Sequence, residues 1–491
     1  MELHLIIEGN KDLSGQVYRQ LSEAIRSGRL ADGQQLPPTR LLARQLGISR
    51  KPVAEAYTRL GYDKMVVGHT GRGTFVSAPP AGRAAPAGAG QANAYPALAK
   101  WNGFDSPLRQ PQQDSRAQFE FIGGAPAPQH FPQADWRRCV LYGLRQDAAG
   151  RGRYAATEGV PALRAALARH AAFARGVNGG ADQLIVTNGA QQAFDLLGRI
   201  LLEPGACVAV EDPGYPLARL LFQSQGARVA YVPVDAEGIV VERIPDDARL
   251  IYVTPAHQFP LGMPMSTERK QALLARARAI GAIIIEDDYD SEFRYEGRPA
   301  DSLQSMDRHG VVAFVGTLSK VVLPDLRIGY VVAPSAILPA LKIAKHLTDW
   351  YSATMIQHAL ARFIDDGSLL RHIRRGHEIY ASRREALVRV FDTALAPWFR
   401  LVPAVAGFHV AAFAKRDLDL DLLIRLARRA GVGLYALPAF YSQAPPRKGL
   451  FLGYGAIDTL DIEPALLRVR DILLQMDTSP APASWTSQGL S

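Results

Sequence analysis

Between Ala78 and Gln118 the chain runs through Ala78-Pro79-Pro80-Ala81-Gly82 and Ala85-Pro86-Ala87-Gly88-Ala89-Gly90, with neither a helical nor a strand period. Such a stretch buries too little apolar surface to offset its own ordering entropy, so 78–118 reads as a flexible linker. It forces an unequal division of the 491 residues. A small unit precedes it, a block at 119–476 alternates apolar strands with amphipathic helices, and 477–491 is a Pro/Ser-rich tail expected to fray.

A composition of 48% hydrophobic and 21% charged residues excludes a wholly disordered chain. No run approaches the roughly 18 to 20 apolar residues of a membrane-spanning helix, and an N-terminus with Glu2, His4 and Glu8 lacks a signal-peptide pattern. Cys139 and Cys207 are too few for a disulfide framework or a thiolate zinc site. A cytoplasmic protein without membrane contact or metal is expected. The net charge of +9 permits an anionic partner and names none.

In the small unit, Ser14 can cap a helix with Val17, Leu21 and Ile25 on one face, ending before Gly28. A second helix opens at Thr39 behind Pro37-Pro38. Ser49 can cap a third, on which Val53, Ala56, Tyr57 and Leu60 share a face. The turn Leu46-Gly47-Ile48-Ser49 makes the pair a helix-turn-helix. Met65-Val66-Val67, Gly71-Arg72-Gly73 and Thr74-Phe75-Val76 then make a hairpin, the wing. Arg40 opens the second helix, Arg50 and Lys51 open the third, and Arg72 tips the wing, so the cations stand where a recognition helix meets phosphates and base edges.

Gly28-Arg29-Leu30, Leu36-Pro37, Thr39-Arg40, Leu46-Gly47-Ile48-Ser49-Arg50, Ala56-Tyr57 and Gly71-Arg72-Gly73-Thr74-Phe75-Val76 resemble the GntR-type winged helix of bacterial regulators. The resemblance implies a DNA-binding domain at 8–77 that contacts double-stranded operator DNA through Arg40, Ser49, Arg50 and Gly73, with Lys51 and Arg72 beside them. Lys51-Pro52 departs from the family, which more often has Thr at the second position.

Three apolar runs in the large block end in reactive groups. Val186-Thr187-Asn188-Gly189-Ala190-Gln191 is a strand, a small-residue turn and a helix start, the geometry that aims backbone N–H groups at a phosphate. Ala282-Ile283-Ile284-Ile285-Glu286-Asp287-Asp288-Tyr289 delivers carboxylates to a strand end, where open α/β sheets bind ligands. Val311 to Lys320 brings Thr317, Ser319 and Lys320 to the same edge, with Arg327 seven residues on. Burial and a neighbouring cation can lower the pKa of such a lysine enough for Schiff-base chemistry.

Together these segments resemble the fold-type I aminotransferases, which use pyridoxal 5′-phosphate. The resemblance implies a large, mostly parallel α/β/α sheet domain with a smaller C-terminal α+β subdomain. It implies Lys320 as the Schiff-base lysine, Asp287 on the pyridine nitrogen, Tyr289 on the ring hydroxyl and Tyr215 stacked on the ring. Gly189, Ala190, Gln191, Thr317, Ser319 and Arg327 would hold the phosphate, and Tyr154 would reach the phosphate of a second subunit, which makes a homodimer. The fusion to a GntR-type module, with Thr254-Pro255-Ala256-His257-Gln258-Phe259-Pro260 and Glu286 to Tyr295, is similar to MocR/GabR-type regulators. It implies a transcriptional regulator that senses pyridoxal phosphate, an amine or an amino acid.

A working aminotransferase carrying a DNA-binding domain is the alternative. Two departures weigh against it. Phe259 stands where aminotransferases commonly place an Asn before Pro-x-Gly, and Gly449 to Tyr454 contains no arginine to clamp a substrate carboxylate. Arg447 or Lys448 would have to substitute. The basic helix with Arg371, Arg374, Arg375, Arg383 and Arg384 reads as solvated surface.

Overall fold

A computed structural model describes residues 5–7, 9, 11–69, 71–77, 101, 103–104, 117–149, 153–295 and 301–478. Most of the expected linker, Glu8, and the tail from 479 on lie outside the described residues. The chain divides into two compact units, Met1–Asn102 and Gly103–Ser491.

In the first unit, helices α1 (Leu13–Arg26), α2 (Thr39–Gln45) and α3 (Arg50–Tyr62) close over one apolar core. Val17, Leu21, Leu42, Val53, Ala56 and Leu60 are fully buried in it, each large aliphatic contributing roughly 1.5–3 kcal/mol. The Tyr57 hydroxyl donates to Pro37 O at 2.8 Å and ties α3 to the segment before α2. The cap of α1 is Asp12, not Ser14: its carboxylate accepts from Gly15 N at 3.2 Å, because Ser14 already lies inside the first turn. Ser49 takes the extended cap backbone of α3 but makes no side-chain cap bond, since Pro52, at the third helical position, has no N–H to offer. Strands β1 (Gln35–Leu36), β2 (Val66–His69) and β3 (Gly73–Val76) form an antiparallel sheet in the order β1-β3-β2. β1 adds a strand to the expected hairpin, because two residues before Pro37-Pro38 carry no readable period.

The second unit begins with β4 (Phe119–Glu120) and continues into an eight-stranded sheet. Its strands are β5 (Leu184–Thr187), β6 (Cys207–Asp212), β7 (Arg228–Asp235), β8 (Gly238–Ile239), β9 (Ala248–Val253), β10 (Ile283–Asp288), β11 (Val312–Thr317) and β12 (Gly329–Val332). Their order is β5-β12-β11-β10-β9-β6-β7-β8. β7, β6, β9, β10 and β11 run parallel, and β12 is antiparallel to both neighbours. β9, β10 and β11 are almost wholly buried because helices cover both faces, which is why they read as near-continuous Ile/Val/Ala runs.

Beyond it, β13 (Phe399–Leu401), β14 (His409–Ala414), β16 (Tyr435–Ala436) and β17 (Gly449–Gly453) form an antiparallel sheet, while β15 (Val432–Gly433) pairs in parallel with β4. The architecture is the expected α/β one with a smaller α+β part.

Two expectations change. Helix Thr459–Thr478 extends through 477 and 478, so the tail starts later than expected. On helix Ser368–Val390, Arg371, Arg374 and Arg375 are exposed, but Arg383 is 1% exposed, bonded to Gly455 O and to Asp458 Oδ1 at 3.0 Å. Arg384 reaches Ala404 O at 2.8 Å. Both sit on the inward face, where the charges satisfy loop carbonyls. Among the described residues no helix is long and apolar enough to cross a membrane.

Candidate functional site

The carboxyl ends of β5, β6, β9, β10 and β11 all open on one edge of the large sheet, and a cavity of about 310 Å³ lies there. Lys320, Asp287, Tyr289, Tyr215, Ala190, Gln191, Thr317, Ser319 and Arg327 all line it. Gly189, at the N-cap of helix Ala190–Leu201, adjoins it through Ala190.

Asp287 is the penultimate residue of β10, and its carboxyl is buried. Oδ2 accepts from the Tyr252 hydroxyl at 2.5 Å, while Oδ1 has no partner among the described residues. Loss of solvent raises its pKa to about 7, against the lowering by the Tyr252 hydrogen bond. Lys320 Nζ donates to Gly124 O at 2.7 Å. Burial holds it below the ordinary lysine range, opposed by Asp290 and Asp287 and reinforced by Arg327. Ser319 Oγ and Gln191 Oε1 are also buried without partners among the described residues.

Helix Ala190–Leu201 starts at the cavity, and Arg327 NH2 reaches Asn188 O at 3.3 Å beside that start. Gly329 permits the arrangement: a Cβ there would stand 2.7 Å from Gly189 C and 2.9 Å from Ala190 N, both backbone atoms that cannot swing aside. The cradle is therefore built of backbone N–H groups, two hydroxyls and a guanidinium, the donor set of an anion site.

Sequence reasoning missed an inner layer. His257 Nδ1 lies 2.9 Å from Asp290 Oδ1 and 3.2 Å from the Tyr289 hydroxyl, which donates to His257 O at 2.8 Å. His409, the first residue of β14, lies with its ring centroid 4.4 Å from that of His257. Burial, then the neighbouring His257 and Lys320, hold His409 far below the usual histidine range, so it is neutral. The ligand atoms of His257, Asp290 and His409 lie within 4.8 Å of one another. They come from three separate elements, and only the His257-Gln258 pair inside a Pro-bounded turn hinted at them. Phe259, Phe440 and Phe451 also line the cavity.

Tyr154 does not line this cavity. The residue is 75% exposed, and its ring packs on Trp350 with centroids 4.7 Å apart. Arg447 lies over the Phe413 ring at 3.6 Å and Lys448 pairs with Asp417, so neither replaces a carboxylate clamp.

The raised pKa of Asp287 has a measurable consequence. Between pH 4 and 7 the folded state holds a proton that the unfolded state has lost, so stability without ligand falls as pH rises through that window. Glu211 and Glu286, also pushed to about 7 by burial, add to the fall. Asp287→Asn is expected to stabilise the ligand-free protein at pH 8 by about 2–4 kcal/mol relative to the parent, the gain vanishing near pH 4. Thermal unfolding across that range measures it, and a pH-independent difference would refute the assignment.

In the first unit Arg40, Arg50, Lys51 and Arg72 are all exposed. Arg50 Nε donates to Thr39 Oγ1 at 3.2 Å, which fixes the guanidinium between the starts of α2 and α3. Lys51 pairs loosely with Glu55 at 4.0 Å. Gly73, with φ +110°, lets the wing return, and Gln35 Nε2 anchors its tip on Arg72 O at 2.7 Å.

Residues 13–76 match the family model of bacterial regulatory proteins of the gntR family, and residues 128–447 match aminotransferase class I and II. The probable rhizopine catabolism regulatory protein MocR of Rhizobium meliloti is 33% identical, over 97% of each chain. The HTH-type transcriptional regulator TauR of Rhodobacter capsulatus is 32% identical, over 94% of this chain and 96% of its own. A kynurenine aminotransferase of Pyrococcus horikoshii, solved in complex with PMP, superposes with a TM-score of 0.69 at 25% identity, covering 77% of this chain and 98% of that one.

Fold and site thus define a DNA-binding helix-turn-helix unit joined to an aminotransferase class I/II domain. The chain belongs to the MocR/GabR-type transcriptional regulators.

Proposed function

We propose that the cavity binds pyridoxal 5′-phosphate and that occupancy there, by the cofactor or by an amine ligand reacting with it, sets how the helix-turn-helix unit binds operator DNA. The observation that carries this reading is that Asp287 Oδ1 and Ser319 Oγ, both buried and unpartnered among the described residues, belong to one cavity that also receives Lys320. A phosphorylated, protonated pyridine ring offers Asp287 Oδ1 a donor and Ser319 Oγ an acceptor, so these residues fit the cofactor. When bound, it supplies an aldehyde carbon that condenses with amines and a ring that withdraws electrons.

Asp287 would hold the ring nitrogen, Tyr289 the ring hydroxyl, and Tyr215 the ring face. The Gly189-Ala190-Gln191 helix start, Thr317, Ser319 and Arg327 would hold the phosphate. Burial favours the neutral, nucleophilic amine of Lys320, and its Nζ would accept or return a proton at the carbon the cofactor activates. Phe259 and the arginine-free β17 supply no group to orient a carboxylate, which supports sensing over transamination.

Arg40, Ser49, Arg50, Lys51, Arg72 and Gly73 are the proposed DNA contacts. The exposed Tyr154 supports a homodimer in which it faces the second copy. Domains at 8–77 and 119–478, a linker at 78–118 and cytoplasmic placement complete the reading.

Gly329→Ala tests the cradle. Displacing the start of helix Ala190–Leu201 is expected to weaken cofactor binding at least tenfold, about 1.4 kcal/mol, with the affinity for pyridoxal lacking phosphate changed much less. Equal losses for both ligands would place the phosphate elsewhere.

A further inference from the structure

The wall beside Lys320 is aromatic. Lys320 Nζ is bonded to Gly124 O, and the adjoining Gly123 lies so close to Phe451 that a Cβ there would stand 2.1 Å from its ring. Phe451 packs on Phe259 and Phe440, with ring centroids 5.5 and 5.0 Å away, and Phe259 lies 5.3 Å from Phe440. A group carried on an amine that enters beside Lys320 therefore meets three phenyl rings.

The charges around that wall have one sign left over. Among the described residues lining the cavity, the cations are Lys320 and Arg327. Arg327 stands at the start of helix Ala190–Leu201, on the phosphate side, and Lys320 is committed to the cofactor. His409, 4.8 Å from Phe451 between ring centroids, is neutral. Asp290 lines the same cavity and is buried to 1% exposure, with His257 its hydrogen-bond partner. A carboxylate placed here loses its water, finds no cation beyond Lys320 and Arg327 among the described residues and faces Asp290, whereas apolar carbon or a cationic amine is welcomed by the ring faces.

Resting on the proposed cofactor reading, we infer that the effector is a primary amine with an apolar or aromatic tail and no carboxylate next to the amine, so that the Phe259/Phe440/Phe451 wall and Asp290 reject α-amino acids.

The test uses the full chain loaded with pyridoxal phosphate and matched pairs that differ only in the carboxylate: 2-phenylethylamine with phenylalanine, and 3-methylbutylamine with leucine. Calorimetry and the visible spectrum read binding. Each amine is expected to bind at least tenfold more tightly than its amino acid. Equal or tighter amino-acid binding overturns the inference and indicates a cation from elsewhere, such as a second copy. Phe451→Arg and Asp290→Asn are each expected to narrow the ratio at least threefold. If Phe451→Arg fails to fold, Asp290→Asn decides alone, and an unchanged ratio in the folded variants also overturns the inference. A parent protein that shows no visible band with the cofactor refutes the cofactor reading itself, whereas a normal band with reversed preference refutes only the amine selectivity.

Discussion

Lys320→Ala is expected to abolish the visible absorbance that pyridoxal phosphate gives with the parent protein. Lys320 comes just after β11 and brings its amine to the cavity edge, where burial lowers its proton affinity. No other lysine lines the cavity among the described residues. The proposed phosphate cradle of Gly189, Ala190, Thr317, Ser319 and Arg327 does not depend on that amine. The variant should therefore retain weak, noncovalent cofactor binding, detectable by thermal shift, with no band characteristic of a lysine adduct. A full-intensity band in the variant would mean that another amine is the site. Lys320→Arg, which keeps the charge and cannot form the Schiff base, guards against a folding defect in the alanine variant and should also lack the band.

Arg50→Ala is expected to weaken operator binding by about 1–3 kcal/mol, roughly 5- to 150-fold, and to lower the salt slope by about one. Arg50 opens α3, and its bond to Thr39 fixes the guanidinium before DNA arrives, so little side-chain entropy remains to be lost. Lys51→Ala should cost less, because Lys51 is 85% exposed and only loosely paired. Cofactor absorbance should be untouched in both variants, since the two units fold around separate cores. Mobility shift across a salt series distinguishes a lost contact from a misfolded unit, which would lose all affinity at every salt. An Arg50→Ala protein that binds operator like the parent would remove α3 from the proposed interface.

Legibility in the sequence depends on how local each signal is. The winged helix is readable because its helices carry complete faces, Val53-Ala56-Tyr57-Leu60 among them, and its wing has Gly at both sides of the tip. The main cavity residues are readable for a similar reason: buried parallel strands write themselves as apolar runs, and the residues just after each run lie on the functional edge. Cap details are less legible, because Asp12 and Ser14 are both good cap residues and only the actual start of α1 decides between them. Arg383 reads as solvated and is not, since a helix with six arginines gives no hint of which ones turn inward until the Gly455 and Asp458 loop is in place. The Asp290, His257 and His409 layer leaves only the hint of the His257-Gln258 pair, because it joins β14 to two loops far away in the chain. The lack of arginine in β17 can be seen in the sequence, but only the fold turns that gap into a wall by setting Phe451 against Phe259.

Occupancy of the sheet-edge cavity is proposed to change the affinity of the DNA-binding unit for its operator. A ligand does this only through different affinity for the two states of the protein, with coupling typically of about 1–3 kcal/mol. The direct measurement is the operator affinity of the full chain at fixed salt, without cofactor, with pyridoxal phosphate, and with pyridoxal phosphate plus 2-phenylethylamine. At least a fivefold change is expected between two of these states, absent in Lys320→Ala for the amine step. Identical operator affinity in all three states, with the cofactor demonstrably bound, would contradict it.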